Sequence, residues 1–305
     1  MKTIAILSTL LWVSPAFADD DDAGTKAGSN AEDKDEKEKE KGAEPEGGKF
    51  SLLGRECKPE ESRLETVPGS PPLDVDDPET PGCNAWEVNL TTSGEFGKTT
   101  SWAPLLDANY GIGDNIQLKF EVPYEISKTD AGYESGLGAA EIGIKWRFYE
   151  NEASGLTVAI YPQVEFAIPG TAAADEGGTM TKLPLLVSKK IGETSKGDIM
   201  VTGNVGYNIS THDGTENYLS AAFGIGLPLL SNVAVMAEVS TEQALGNNMA
   251  NVREGYLKGN LGLLGPVNDH LLWIASVGHT FDSTMMEDPN HTCVLFGVRL
   301  LAGGP

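Results

Sequence analysis

From Trp86 to Leu301 apolar side chains recur on alternate positions, with polar or small residues between them. A period of two is the mark of strands with one apolar face. In Ile116 to Val122, the residues Ile116, Leu118, Phe120 and Val122 share one side, and Gln117, Lys119 and Glu121 share the other. Ile142, Ile144, Trp146 and Phe148 likewise oppose Lys145 and Arg147. Val158, Ile160, Val164 and Phe166 oppose Gln163 and Glu165, while Val205, Tyr207 and Ile209 oppose Thr202, Asn204 and Asn208. Val233, Val235 and Val239 oppose Glu238 and Ser240. Runs of this kind, bounded by turn residues, predict about twelve strands. Their centres lie near Asn89, Leu106, Phe120, Ile144, Ile160, Leu186, Val205, Phe223, Val235, Leu261, Ala275 and Leu295.

The connections alternate in length. Gly111 to Asn115, Asn151 to Gly155, Glu193 to Gly197 and Pro266 to Asp269 are compact and rich in turn formers. Between them come longer polar segments, Asp130 to Gly138, Gly170 to Thr179, Gly246 to Glu254 and Asp282 to His291. Short turns at one end and long loops at the other, joined by an even number of strands, predict an antiparallel transmembrane β-barrel. A soluble β-fold would alternate as well, so the direction of the apolar face decides between the two: inward in a sandwich, toward lipid in a membrane barrel. In the membrane case the mid-strand charges must face the lumen, and the predicted lining is Lys119, Glu121, Lys145, Arg147, Glu165 and Glu238. Aromatics near strand ends, among them Trp86, Trp102, Tyr110, Tyr124, Trp273 and Phe281, fit either interfacial girdles or ordinary cross-strand partners.

The first 82 residues change the picture. Residues 1–18 read as a signal peptide: an early Lys2, an apolar run from Ile4 to Val13 and the small-x-small site Ala16-Phe17-Ala18. That apolar run is too short to span a bilayer as a helix. Residues 19–82 are acidic and rich in proline, with few aliphatic or aromatic side chains, and supply roughly half of the net charge of −23. Such a segment cannot bury enough apolar surface to offset its ordering entropy, so it is expected to be a largely disordered, solvated tether. Cation capture and plugging of a pore are the sharper alternatives. The barrel is then residues 83–305. An acidic balance argues against nucleic acid as a partner, because phosphate neutralisation needs clustered Lys and Arg. Of three cysteines, Cys57 and Cys83 are placed to form a disulfide; Cys293 lies in a strand-like run and is expected to be a small buried residue. No metal site and no cofactor are expected from the cysteine spacing or from nucleotide motifs.

Tyr110-Gly111-Ile112-Gly113-Asp114-Asn115-Ile116-Gln117-Leu118, then Glu121-Val122-Pro123-Tyr124, Gly136-Leu137-Gly138 and Gly143 to Phe148, carry a resemblance. With Phe166-Ala167-Ile168-Pro169-Gly170, they resemble the outer-membrane proteins of the phenol-degradation meta-pathway transporter-like family. The resemblance spans residues 84–301 and is strongest over 110–170. It implies a barrel in the outer membrane of a Gram-negative bacterium that carries small solutes, hydrophobic or aromatic compounds among them.

No enzyme is expected. The four histidines His212, His270, His279 and His291 have no Gly-x-Ser-x-Gly elbow to serve, and His279 with Ser276 and Asp282 is too local in sequence to make a convincing triad. The expected function is a porin-like channel whose partners are outer-membrane lipid and a small solute. The alternatives are a secreted or surface soluble β-fold binding protein with an acidic spacer, and a structural barrel without transport.

Overall fold

The computed structural model describes residues 49–50, 57, 73–97, 100–129, 132–169, 171, 178–211, 216–230, 232–246, 254–281, 283–284 and 290–303. The signal peptide and most of the acidic segment lie outside the described residues. So do His212 and Asp282.

Twelve antiparallel strands close into one all-β barrel. They are β1 (Ala85–Phe96), β2 (Thr100–Ile112), β3 (Ile116–Thr129), β4 (Gly132–Leu137 continued by Ala140–Asn151) and β5 (Leu156–Ile160 continued by Gln163–Phe166). Then follow β6 (Thr179–Thr194), β7 (Gly197–Ser210), β8 (Tyr218–Leu230), β9 (Val233–Ala244), β10 (Gly255–Asn268), β11 (Leu271–Phe281) and β12 (His291–Gly303). Every strand pairs with its neighbour in sequence, and β12 returns to β1 with Thr292 opposite Phe96 and Gly303 opposite Ala85. All twelve predicted centres fall inside these strands, one in each. Closure removes the unpaired edges that a bilayer would not tolerate.

One connection departs from expectation. Asp130 to Gly138 was expected as a loop, yet Gly132–Leu137 pairs with Tyr124 to Thr129, so β3 and β4 project as a hairpin beyond the ring. Gly138 donates to the Pro123 carbonyl at 3.0 Å, and below it the strand resumes at Ala140 against Phe166. The predicted loop is therefore a continuation of the wall.

The faces sort as a membrane barrel requires. Ile144 is 52% exposed on the outside while Lys145, its chain neighbour, is 1% exposed inside. Phe120, Ile142, Val205, Phe223, Leu261 and Phe296 join Ile144 on the outer surface. This excludes the soluble sandwich, in which those side chains would meet in a dry core. Among the described residues no helix is long and apolar enough to cross a membrane, which says nothing of crossing by strands. At the turn end Trp86 stacks on Tyr110, its partner in register, at 4.8 Å. At the loop end Phe96 meets Trp102 edge-on at 5.2 Å. End position and cross-strand pairing coincide, so the two readings of the aromatics are the same arrangement.

The described part of the acidic segment packs against the barrel. Leu73 to Pro78 are buried inside the ring, so the tail of the acidic segment belongs to the barrel interior. Two features position it. The Cys57–Cys83 disulfide is present, with Cα atoms 5.6 Å apart. Beside it, the chain turns into β1 through Gly82 (φ 83°) and Asn84 (φ 53°), and Asn84 donates to the Gly111 carbonyl at 3.1 Å. Gly111 is required there: a Cβ would sit 1.7 Å from the Gly82 carbonyl oxygen.

Candidate functional site: a lumen crossed by its own chain

The inner face is polar because each strand places every second residue there. Lys119, Glu121, Lys145, Arg147 and Glu238 are all buried on it, and Glu165 stands half-buried among them. Two distinct walls result.

On one side, β3 to β6 pair their own charges. Lys119 Nζ lies 2.7 Å from Glu121 and 2.5 Å from Glu141. Lys182 Nζ lies 2.6 Å from Glu141 and 3.0 Å from Glu165. Glu141 thus bridges two lysines from strands on either side of β4, and the ladder fixes which charge meets which. Burying such groups unpaired would be strongly destabilising; paired, they hold a rigid wall. Lys145 stands over the Tyr161 ring at 4.8 Å, and the β1–β2–β12 sector is held by Arg299, which donates to Asn89 at 3.0 Å and lies 3.4 Å from Glu87.

On the other side, β9 to β12 present an apolar pocket. Met236, Leu264, Leu272, Ile274, Leu295 and Leu301 cluster there, and Leu73 from the N-terminal segment fills it. Gly262 makes the room, since a Cβ would stand 2.8 Å from Leu73 Cδ1.

From that pocket the segment crosses the lumen, and the wall receives it group by group. The Glu238 carboxylate accepts the backbone N–H of Leu73 at 2.8 Å, Asp74 at 2.5 Å and Val75 at 3.2 Å. Asp74 is taken by Ser240 and Lys258, each at 2.9 Å, and by Asn260 at 2.5 Å. Asn204 of β7 matches both backbone groups of Asp76, accepting its N–H at 2.7 Å and donating to its carbonyl at 2.5 Å. Three strands further round the ring, Lys145 of β4 donates to the Glu79 carbonyl at 3.1 Å and Arg147 pairs with the Glu79 carboxylate. Thr80 then donates to the Asp114 carbonyl at 2.7 Å in the β2–β3 turn. Amide N–H groups meet an anion at one wall, and a carbonyl with a carboxylate meets cations at the other, so the segment fits in one direction only. Burial pushes the Asp76 carboxyl up to about 7, against the pull of Lys145, and raises Asp77 as well.

A second feature lies in the barrel wall itself. Between β2 and β3 the register pairs Trp102 with Ile126 and resumes only at Leu105 with Pro123, because Pro104 and Pro123 lack the N–H a ladder needs. A shallow apolar depression on the outer, lipid-facing surface lies there, lined by Leu90, Leu105, Leu106, Pro123, Tyr124 and Phe296.

The predicted lining residues thus come together in two groups: Lys119, Glu121 and Glu165 in the charged wall, and Lys145, Arg147 and Glu238 around the crossing segment. Glu141, Lys182, Glu87 and Asp107 share the lumen and were not predicted. Their signal was available, since Glu141 is in phase with Lys145 along β4. The local triad does not form: Ser276 has the inward parity of Ile274 and Thr280, whereas His279 shares the outward parity of Val277 and Phe281 and packs on Phe281.

No protein-family profile and no curated relative matches the sequence. Solved structures do match in fold. An outer-membrane channel from Pseudomonas putida F1 is 13% identical, with a TM-score of 0.60 over 74% of this chain and 98% of that one. The NanC porin is 8% identical, with a TM-score of 0.52 over 70% of this chain and 98% of that one. The chain therefore has the fold of the outer-membrane porin and channel β-barrels.

Proposed function

We propose that the protein is a porin-like channel in the outer membrane of a Gram-negative bacterium, narrowed by its own residues 73–81 and passing small solutes. The observation that carries this is the sorting of faces: aliphatic side chains outside, and an inner surface of paired charges around a through-going axis. Lys145 and Arg147 stand at the narrowing, where fixed charge governs which ions pass. Selectivity is therefore set by charges of both signs.

Among small solutes, hydrophobic or aromatic compounds are the proposed cargo. The resemblance to the phenol-degradation meta-pathway family supports this reading. Outer-membrane fractionation with a heat-modifiable gel shift, followed by planar-bilayer recording, tests the proposal. Recovery in soluble periplasm, or a bilayer that stays silent with folded protein, would overturn it.

A further inference from the structure

Cys293 is the cysteine left outside the disulfide, and it does not stand alone. In the β12–β1 ladder it is opposite Glu95. His291, two residues back on β12, shares its inward face. The sulfur, an imidazole nitrogen and a carboxylate oxygen lie within 4.8 Å of one another, with His291 Nε2 3.9 Å from Glu95 Oε1. These are three of the donor types that zinc proteins use, gathered loosely enough that side-chain rotation has to draw them onto an ion with bonds of about 2.0–2.3 Å. His291 and Cys293 are buried, while Glu95 is part-exposed.

The surroundings suit a cation. A thiolate and a carboxylate neutralise its two charges. Lys258, the positive neighbour, is held by Asp74 at 2.9 Å. Thr280 Oγ1 stands 3.8 Å from the Cys293 sulfur, and Ser101 Oγ 3.5 Å from Glu95, as outer partners that orient the ligands.

We propose that Glu95, His291 and Cys293 form a binding site for a divalent transition-metal ion of zinc type at the loop end of the lumen. Binding forms one bond each to sulfur, nitrogen and oxygen, and releases the thiol proton to solvent. A solute or water fills the fourth position. The inference is independent of conduction.

Co²⁺ is the probe, added to the full chain in detergent without reductant, so that Cys57–Cys83 stays closed and Cys293 is the single thiol. The expected result is a thiolate-to-cobalt charge-transfer band at one ion per chain, displaced by Zn²⁺. Cys293→Ala abolishes the band. His291→Ala and Glu95→Gln weaken binding by more than the roughly 10- to 100-fold that loss of an outer partner costs. Each variant is first checked for the heat-modifiable gel shift of a folded barrel. Absence of the band in folded wild type, or its persistence in folded Cys293→Ala, overturns the site. Should Cys293→Ala not fold, full-strength Co²⁺ binding by folded His291→Ala and Glu95→Gln does the same.

Discussion

The two halves of the lumen solve the problem of buried polarity differently. The β3–β6 wall satisfies most of its charges internally, with Glu141 of β4 against Lys119 of β3 and Lys182 of β6. The β9–β12 wall is incomplete by itself: a hydrophobic pocket and the Glu238 carboxylate wait for Leu73 and three backbone N–H groups. One wall is a strut and the other a socket. Lys145 and Arg147 reach from the strut to the crossing segment, at Glu79.

The strongest way to break this comparison is at that reach. Lys145→Glu with Arg147→Glu turns attraction for Glu79 into repulsion, and breaking a buried ion pair costs about 3–5 kcal/mol. Planar-bilayer currents should then shift toward cation preference and grow in amplitude. Unchanged currents would mean that residues 73–81 do not narrow the path.

The socket is tested next, with Leu73→Ala, a truncation worth about 2–5 kcal/mol when the site is filled and buried. Glu238→Ala should act alike, stranding three N–H groups at about 1–3 kcal/mol each. Amide exchange should accelerate at Leu73 to Val75 and stay slow in β3–β6. Equal acceleration in both would erase the distinction between strut and socket.

Ile144→Lys sharpens the contrast between faces. A lysine there meets hydrocarbon at about 2–4 kcal/mol, so the folded fraction in the gel-shift assay should fall. A soluble fold would leave that fraction unchanged.

The smallest effect is pH dependence. Asp76 has its pKa raised in the docked segment, from an ordinary 3.8 to about 7. A carboxyl raised by docking binds its proton more tightly when docked, so docking is strongest below about pH 4 and weakens as pH climbs to about 7. Asp77 is raised too and acts with the same sign. Channel opening should therefore increase across that window, and Asp76→Asn should flatten the profile.

The strands and their faces were legible because both are local: a period of two is written into any seven residues, as in Ile142 to Phe148. The socket was not. Leu73 to Thr80 carry no period and little apolar weight, and their burial is supplied by Glu238, Lys258 and Asn260, more than 160 positions away. Composition alone gives such a segment a solvated fate. The Gly132–Leu137 hairpin was missed for a related reason, as glycine and Ser135 mask its strand character. Cys293 was expected to be a small buried residue, which it is; what the sequence hid was Glu95 across the barrel seam. The His-x-Cys spacing, which puts both side chains on one strand face, was the available clue.

The disulfide between Cys57 and Cys83 gives the lumen segment a short leash. A stretch that lets go of Glu238 cannot diffuse away, because it is part of a covalent loop closed over 26 positions and rooted at the first strand. Recapture is then intramolecular, at an effective concentration in the millimolar range typical of short tethers. Release is brief and self-reversing, and a soluble copy of the same peptide would compete poorly for the vacated groove.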